Sequence, residues 1–97
     1  MVVNVRYITT VREVTKKQSE KIELEENATM HDLINKLVEI YGGELRKIIL
    51  TQGVSTVSIA CLMGTLANDG AFQPILKLDT KLSEGTTILM GTVVTGG

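Results

Sequence analysis

The sequence predicts an α+β domain in which one helix lies across a mixed sheet. Two observations carry this. Alternating apolar and polar residues mark two strands before a helical segment and more strands after it. The long stripe at helical spacing is Leu33, Ile34, Leu37, Val38 and Tyr41. Two strands, one long helix, then further strands is not the strict alternation of a doubly wound fold.

Val3, Val5 and Tyr7 alternate with Asn4 and Arg6, a half-buried strand, and Ile8 continues it on the other face. Thr9 to Lys17 is polar, with Val11 and Val14 three apart, which predicts one helical turn in a connection. From Ser19 to Glu25 the alternation returns. Glu20, Ile22 and Leu24 face one way, and Lys21, Glu23 and Glu25 the other. The two strands predict an antiparallel hairpin. Thr29 with Asp32 three residues on is a capping-box pattern and starts the helix. Gly42-Gly43 ends it, and Leu45, Ile48 and Ile49 predict a short second helix or an irregular continuation of the first. Gln52 to Thr56 reads as a loop. Val57, Ile59 and Cys61 begin a third strand that runs through Leu62-Met63 to Gly64. Ala67-Asn68-Asp69-Gly70 is a turn by composition. Ile75 to Leu78 predicts a short strand, and Thr87-Ile88-Leu89-Met90 a final one entering the interior. The expected organisation is therefore a domain over residues 1–90 and an extended flexible tail over 91–97.

Composition narrows the function classes. In 97 residues, 43% are hydrophobic and 22% charged, as in an ordinary globular domain. Ten Lys and Arg are scattered among eleven Asp and Glu, for a net charge of -1, so nucleic acid is not the expected partner. No apolar run approaches the roughly 20 residues of a membrane span. The opening Met1-Val2-Val3-Asn4-Val5-Arg6 does not read as a signal peptide. Cys61 is the single cysteine, so no disulfide can form within the chain. The cytoplasm is the expected location.

The tail, Gly91-Thr92-Val93-Val94-Thr95-Gly96-Gly97, is the informative segment. At about 3.3–3.6 Å per residue it could reach roughly 20–25 Å when extended. Thr92 to Thr95 are all β-branched and favour extended backbone. Gly96 and Gly97 lack a Cβ and suit a narrow channel. The chemistry at the tip is that of a carboxylate, ionised at neutral pH and a poor electrophile. Acyl transfer from it needs activation, most simply as an adenylate. The chain has no Gly-rich loop followed by Lys-Ser or Lys-Thr to hold ATP phosphates, so a partner must activate it.

The chain as a whole resembles the β-grasp, ubiquitin-like sulfur carriers, most closely the small subunit of molybdopterin synthase (the MoaD family). Four stretches carry the resemblance: Val5-Arg6-Tyr7 with Val11-Arg12-Glu13; Ile22-Glu23-Leu24 with Ala28 to Leu33; Leu78 to Gly85; and Val94-Thr95-Gly96-Gly97. It implies that the first and last strands pair in parallel at the centre of the sheet. It implies that an E1-like enzyme adenylates Gly97 with MgATP and that a sulfur donor then converts it to a thiocarboxylate. Val94, Thr95 and Gly96 would insert into the large synthase subunit, and the sulfur would pass to a pterin precursor of molybdenum or tungsten cofactor. Ile8, Leu66 and Met90 fall where the family places apolar partner contacts. The chain would bind no cofactor or metal itself and would not be catalytic alone. Some archaeal relatives are also joined to lysines of target proteins, which implies a second role.

The sequence departs from the family at three places. Gly91-Thr92-Val93 stands where an aromatic residue and two prolines are common. Leu62-Met63-Gly64 stands for Val-Asn-Gly, and Gly70 to Leu78 is longer than in short relatives. Three other functions stay open: a protein modifier acting through Gly97, a carrier for thiazole synthesis, and an interaction domain that never uses its terminus. No nucleophile–base pair or metal set is visible. His31 reads as a solvated or capping residue and Cys61 as a core residue. The Glu23, Glu25 and Glu26 cluster reads as a solvated edge.

Overall fold

The computed structural model describes residues 1–49 and 61–92. In chain order the elements are β1 (Val2–Ile8), α1 (Thr9–Thr15), β2 (Ser19–Glu23), α2 (Met30–Tyr41), α3 (Gly43–Ile49), β3 (Cys61–Leu66), β4 (Phe72–Pro74) and β5 (Thr87–Thr92). The five strands form one mixed sheet in the order β2-β1-β5-β3-β4. β1 and β5 pair in parallel and every other neighbouring pair is antiparallel. The predicted α+β class and the parallel pairing of the first and last strands both hold.

Period-two patterning explains the layers. Val3, Val5 and Tyr7 of β1, Ile22 of β2, Met63 of β3, and Ile88 and Met90 of β5 are buried on one face. α2 covers that face with Met30, Leu33, Ile34 and Leu37, all fully buried. Leu82 and Ile75 close the core from the loops.

Helix α2 starts as its sequence predicts. The Thr29 hydroxyl accepts a bond from the Asp32 backbone N–H at 3.3 Å, and the Asp32 carboxylate accepts one from the Thr29 N–H at 2.8 Å. That backbone bond, and a second from the Thr29 hydroxyl, hold the Asp32 carboxyl below its ordinary pKa. Gly42, at φ 86°, caps the other end and its N–H reaches the Val38 carbonyl at 2.7 Å. Gly43 begins α3 instead of extending the break.

Four elements differ from their sequence pattern. The Thr9 to Lys17 connection holds a seven-residue helix, closed by Lys16 in the left-handed region. Strand β3 is described from Cys61 and passes through Gly64 to Leu66; Gln52 to Thr56, Val57 and Ile59 lie outside the described residues. The edge strand is Phe72–Pro74, not Ile75 to Leu78. Pro74 has no N–H to continue a ladder, and Leu76 turns outward with 84% exposure. Strand β5 continues past Met90 to Thr92.

Candidate functional site

β5 is the central strand and leads directly toward the tail. Its residues alternate faces: Ile88 and Met90 enter the core, while Leu89 and Gly91 lie on the face away from α2. The register carries that outer face across the neighbours. Ile8 pairs with Gly91, and Gly91 with Leu62. Arg6 pairs with Leu89, and Leu89 with Gly64. Leu66 pairs with Phe72 at the outer edge. Ile8, Leu62, Leu66, Phe72 and Leu89 are each half-buried and form one apolar surface beside the root of the tail.

Two glycines inside strands allow this surface to close. A Cβ on Gly64 would lie 2.5 Å from Phe72 Cζ, so the ring takes the space that a side chain would need. A Cβ on Gly91 would lie 2.8 Å from the Ile8 carbonyl oxygen and would overlap the Ile8 side chain. The Gly91→Val variant is expected to lose about 1–3 kcal/mol of stability, read as a lower urea midpoint at unchanged m-value. The Gly91→Ala variant should lose less.

Among the residues singled out from the sequence, Ile8 and Leu66 reach this surface. Met90 does not. It is fully buried against the core, because its place on β5 is in phase with Ile88. Its side chain is therefore unavailable to a partner, and Leu89 holds the outward position beside it. Val94, Thr95, Gly96 and Gly97 lie outside the described residues. The unbroken apolar run from Ile88 to Met90 was the signal for Leu89, since a strand apolar on both faces is covered on both. Phe72 carried no such signal.

A second candidate is the polar cluster around Glu20. Its carboxylate accepts hydrogen bonds from the Tyr7 hydroxyl at 2.6 Å and from the Tyr41 hydroxyl, and the Lys17 ammonium lies 3.3 Å away. The two rings meet edge to face at 6.3 Å. The cluster ties β1, β2 and the end of α2 together, and no buried side-chain polar atom among the described residues lacks a partner. That is a structural tie. Burial first, and then the bond to Glu20, push both tyrosine pKa values upward. Each raised value favours the neutral phenol in the fold. This stabilisation is complete below pH of about 10 and is lost as pH rises through the folded values. Tyr7 and Tyr41 are the only tyrosines in the chain. Their phenolate absorbance is therefore expected to rise together with unfolding, and not in a separate step near pH 10.

His31 is exposed, with Nδ1 3.4 Å from the Asn35 amide nitrogen. No group of three or more His, Cys, Asp or Glu among the described residues is placed to hold a metal ion. No described helix is long and apolar enough to cross a membrane. Cys61 pairs with Thr92 at the start of β3, and its side chain lies outside the described ones. The arrangement can bind and present.

The model of the ThiS family matches residues 5–97. The chain belongs to the ThiS family. No curated protein sequence matches it significantly. Solved structures share its fold. SAMP1 from Haloferax volcanii superposes with a TM-score of 0.75 at 14% identity, covering 100% of both chains. A putative molybdopterin converting factor, subunit 1, from Pyrococcus furiosus gives 0.71 at 20% identity, over 96% of this chain and 98% of that one. A BexX/CysO complex from Amycolatopsis orientalis gives 0.72 at 19% identity, over 98% and 99%. At such identities the superpositions establish the β-grasp, ubiquitin-like architecture, while the family match also spans the tail of this ThiS-family chain. The resemblance to β-grasp sulfur carriers, read from the sequence, is borne out at the level of family and fold.

Proposed function

We propose that this ThiS-family chain is a sulfur carrier that works through the carboxylate of Gly97. The observation that carries the reading is the family match over residues 5–97, whose bounds include Gly96 and Gly97. An E1-like partner would join the carboxylate to the α-phosphate of MgATP, releasing pyrophosphate. A sulfur nucleophile would then attack the acyl carbon, and AMP would leave with the bonding pair. Val94, Thr95 and Gly96 deliver the tip into the partner's channel. The outer face of Ile8, Leu62, Leu66 and Leu89 takes the body of the partner.

The finer reading is the small subunit of molybdopterin synthase, acting in the cytoplasm and passing sulfur to a pterin precursor for molybdenum or tungsten cofactor. The likeness to a putative molybdopterin converting factor subunit supports it. A second reading is a protein modifier, in which a lysine amine of a target attacks the same adenylate. The likeness to a small archaeal modifier protein supports that one. In either case the chain carries an acyl group and other proteins catalyse the steps.

The test is the intact mass of the protein from its native source under mild non-oxidising conditions, with fragmentation of the last peptide. Replacement of one oxygen by sulfur at Gly97 is the expected result. Localisation is needed because oxidation of a methionine or of Cys61 shifts the mass by nearly the same amount. A Gly97–lysine isopeptide would favour the modifier. A plain carboxylate in cells that are making the cofactor would count against both readings.

A further inference from the structure

Among the described residues the sheet has two edges, and they differ. β4 is three residues long and ends in Pro74. That is a blunted edge. β2 has five residues and no proline. Its inner ladder fixes which groups are free. The Tyr7 N–H reaches the Gln18 carbonyl at 2.8 Å and the Leu24 N–H reaches the Met1 carbonyl at 2.7 Å. Even-numbered residues of β2 therefore bond to β1, and the N–H and C=O groups of Lys21 and Glu23 point to the open edge.

Between that edge and α2 runs an open groove of about 780 Å³. Ile22 and Leu24 line it from the strand and Ile40 from the helix. Ile40 is 51% exposed, one of two large apolar side chains left in solvent among the described residues. Beside Glu20, which is already engaged, five more carboxylates line the groove: Glu23, Glu25, Glu26, Asp32 and Glu39. Only Lys21 and Lys36 oppose them, so the groove concentrates negative charge in a chain whose net charge is -1. Such a rim repels a second copy of this acidic strand and attracts a basic one.

We propose that the groove between β2 and α2 docks an extended basic segment of a partner protein, which adds to the sheet as a sixth strand beside β2. Main-chain bonds to Lys21 and Glu23 supply the pairing. Alternate apolar side chains of the segment cover Leu24 and Ile40, and its lysines and arginines meet the carboxylates. Glu23 pairs with Val2, at the end of the sheet remote from Thr92. The docked segment thus leaves Thr92 and the outer apolar face clear. The proposal does not depend on what Gly97 carries.

The test is titration of the isotope-labelled full chain with a capped octapeptide alternating valine and lysine, followed by amide NMR. Shifts at Lys21, Glu23, Glu25 and Ile40 are expected. Hydrogen exchange at the Lys21 and Glu23 amides should slow, and affinity should fall as salt rises. Lys21→Pro removes one outward N–H without touching the inner ladder. It should weaken the peptide by about tenfold or more with the rest of the spectrum unchanged. The double variant Glu23→Lys, Glu39→Lys serves if the proline disturbs the strand, and should weaken it similarly. Equal binding of a valine–glutamate octapeptide would overturn the proposal. So would shifts on Ile8, Leu62 and Leu89 instead, unchanged affinity in a natively folded variant, or a dimer of this chain joined through β2.

Discussion

Deleting Gly97, or adding one alanine after it, is expected to abolish thiocarboxylate formation, with the loaded mass falling below detection. Both changes leave the described residues untouched. Circular dichroism and the urea midpoint should therefore match the parent protein, which separates lost loading from lost folding. The size of the effect follows from the proposed mechanism: with the Gly97 carboxylate as the reacting group, moving it one residue, about 3.5 Å along an extended chain, would take it out of the partner's site. A misplacement of about 1 Å can already cost on the order of 100-fold in rate. Gly96→Val should be graded instead of absolute, because the carboxylate remains while its approach is crowded. Retained loading in the Gly97 deletion, with the mass shift on another residue, would remove the carrier reading.

The second large effect is on stability. Glu20→Ala is expected to cost about 3 kcal/mol. The Tyr7 side chain is only 2% exposed, so its hydroxyl loses an acceptor where water cannot replace it. Tyr41 loses the same partner. Glu20→Gln keeps one acceptor oxygen and should cost about 1 kcal/mol, the ordinary net worth of a hydrogen bond. The two variants also differ from the parent in acid. Burial alone would raise the Glu20 carboxyl, but the hydrogen bonds from Tyr41, Tyr7 and Lys17 outweigh it and hold the pKa below its ordinary value. The folded state therefore takes up this proton less readily than the unfolded one. The stabilisation is complete above the ordinary glutamate value of about 4.3 and is lost as pH falls through the lowered folded value. Urea midpoints measured from pH 7 downward should converge for parent and Glu20→Gln. Curves that stay parallel to the acid limit would show that the carboxylate's charge is not what holds the cluster.

Local signals were the most legible ones. Thr29 and Asp32 announce α2 because capping is chemistry between near neighbours, and Gly42 ends it for a backbone reason that needs no tertiary context. The β1 and β2 faces were equally plain, since period two survives wherever one side of a sheet is buried. The parallel pairing of β1 with β5 came from family resemblance alone, as no residue pattern encodes which distant strand is a neighbour. Glycine misled at Gly64. Read along the chain it punctuates a strand, whereas in space it is the floor on which the Phe72 ring rests. Ile75 to Leu78 looked like a strand because it is apolar, yet Ile75 serves the core and Leu76 faces solvent. The family resemblance implies a partner contact at Met90. Counting from Ile88 along β5 puts it inside. Leu62 and Leu89 complete the outer face, and only the register between three strands brings them together.

The position of β5 has a consequence for how the molecule comes into being. In the order β2-β1-β5-β3-β4, two pairs of strands meet only through it. A nascent chain still lacking residues 87–92 holds two separate hairpins with their inner edges bare. The pairing that closes the sheet spans most of the chain, the kind of long-range contact that slows folding. Ribosomal stalling or premature termination before Thr87 would therefore yield a species whose core lacks Ile88 and Met90 and whose two hairpins are not joined, open to proteases and to aggregation. The glycines that would be loaded are synthesised after the strand that completes the sheet. An activating partner that reaches them would thus meet a chain in which all five described strands have already been made.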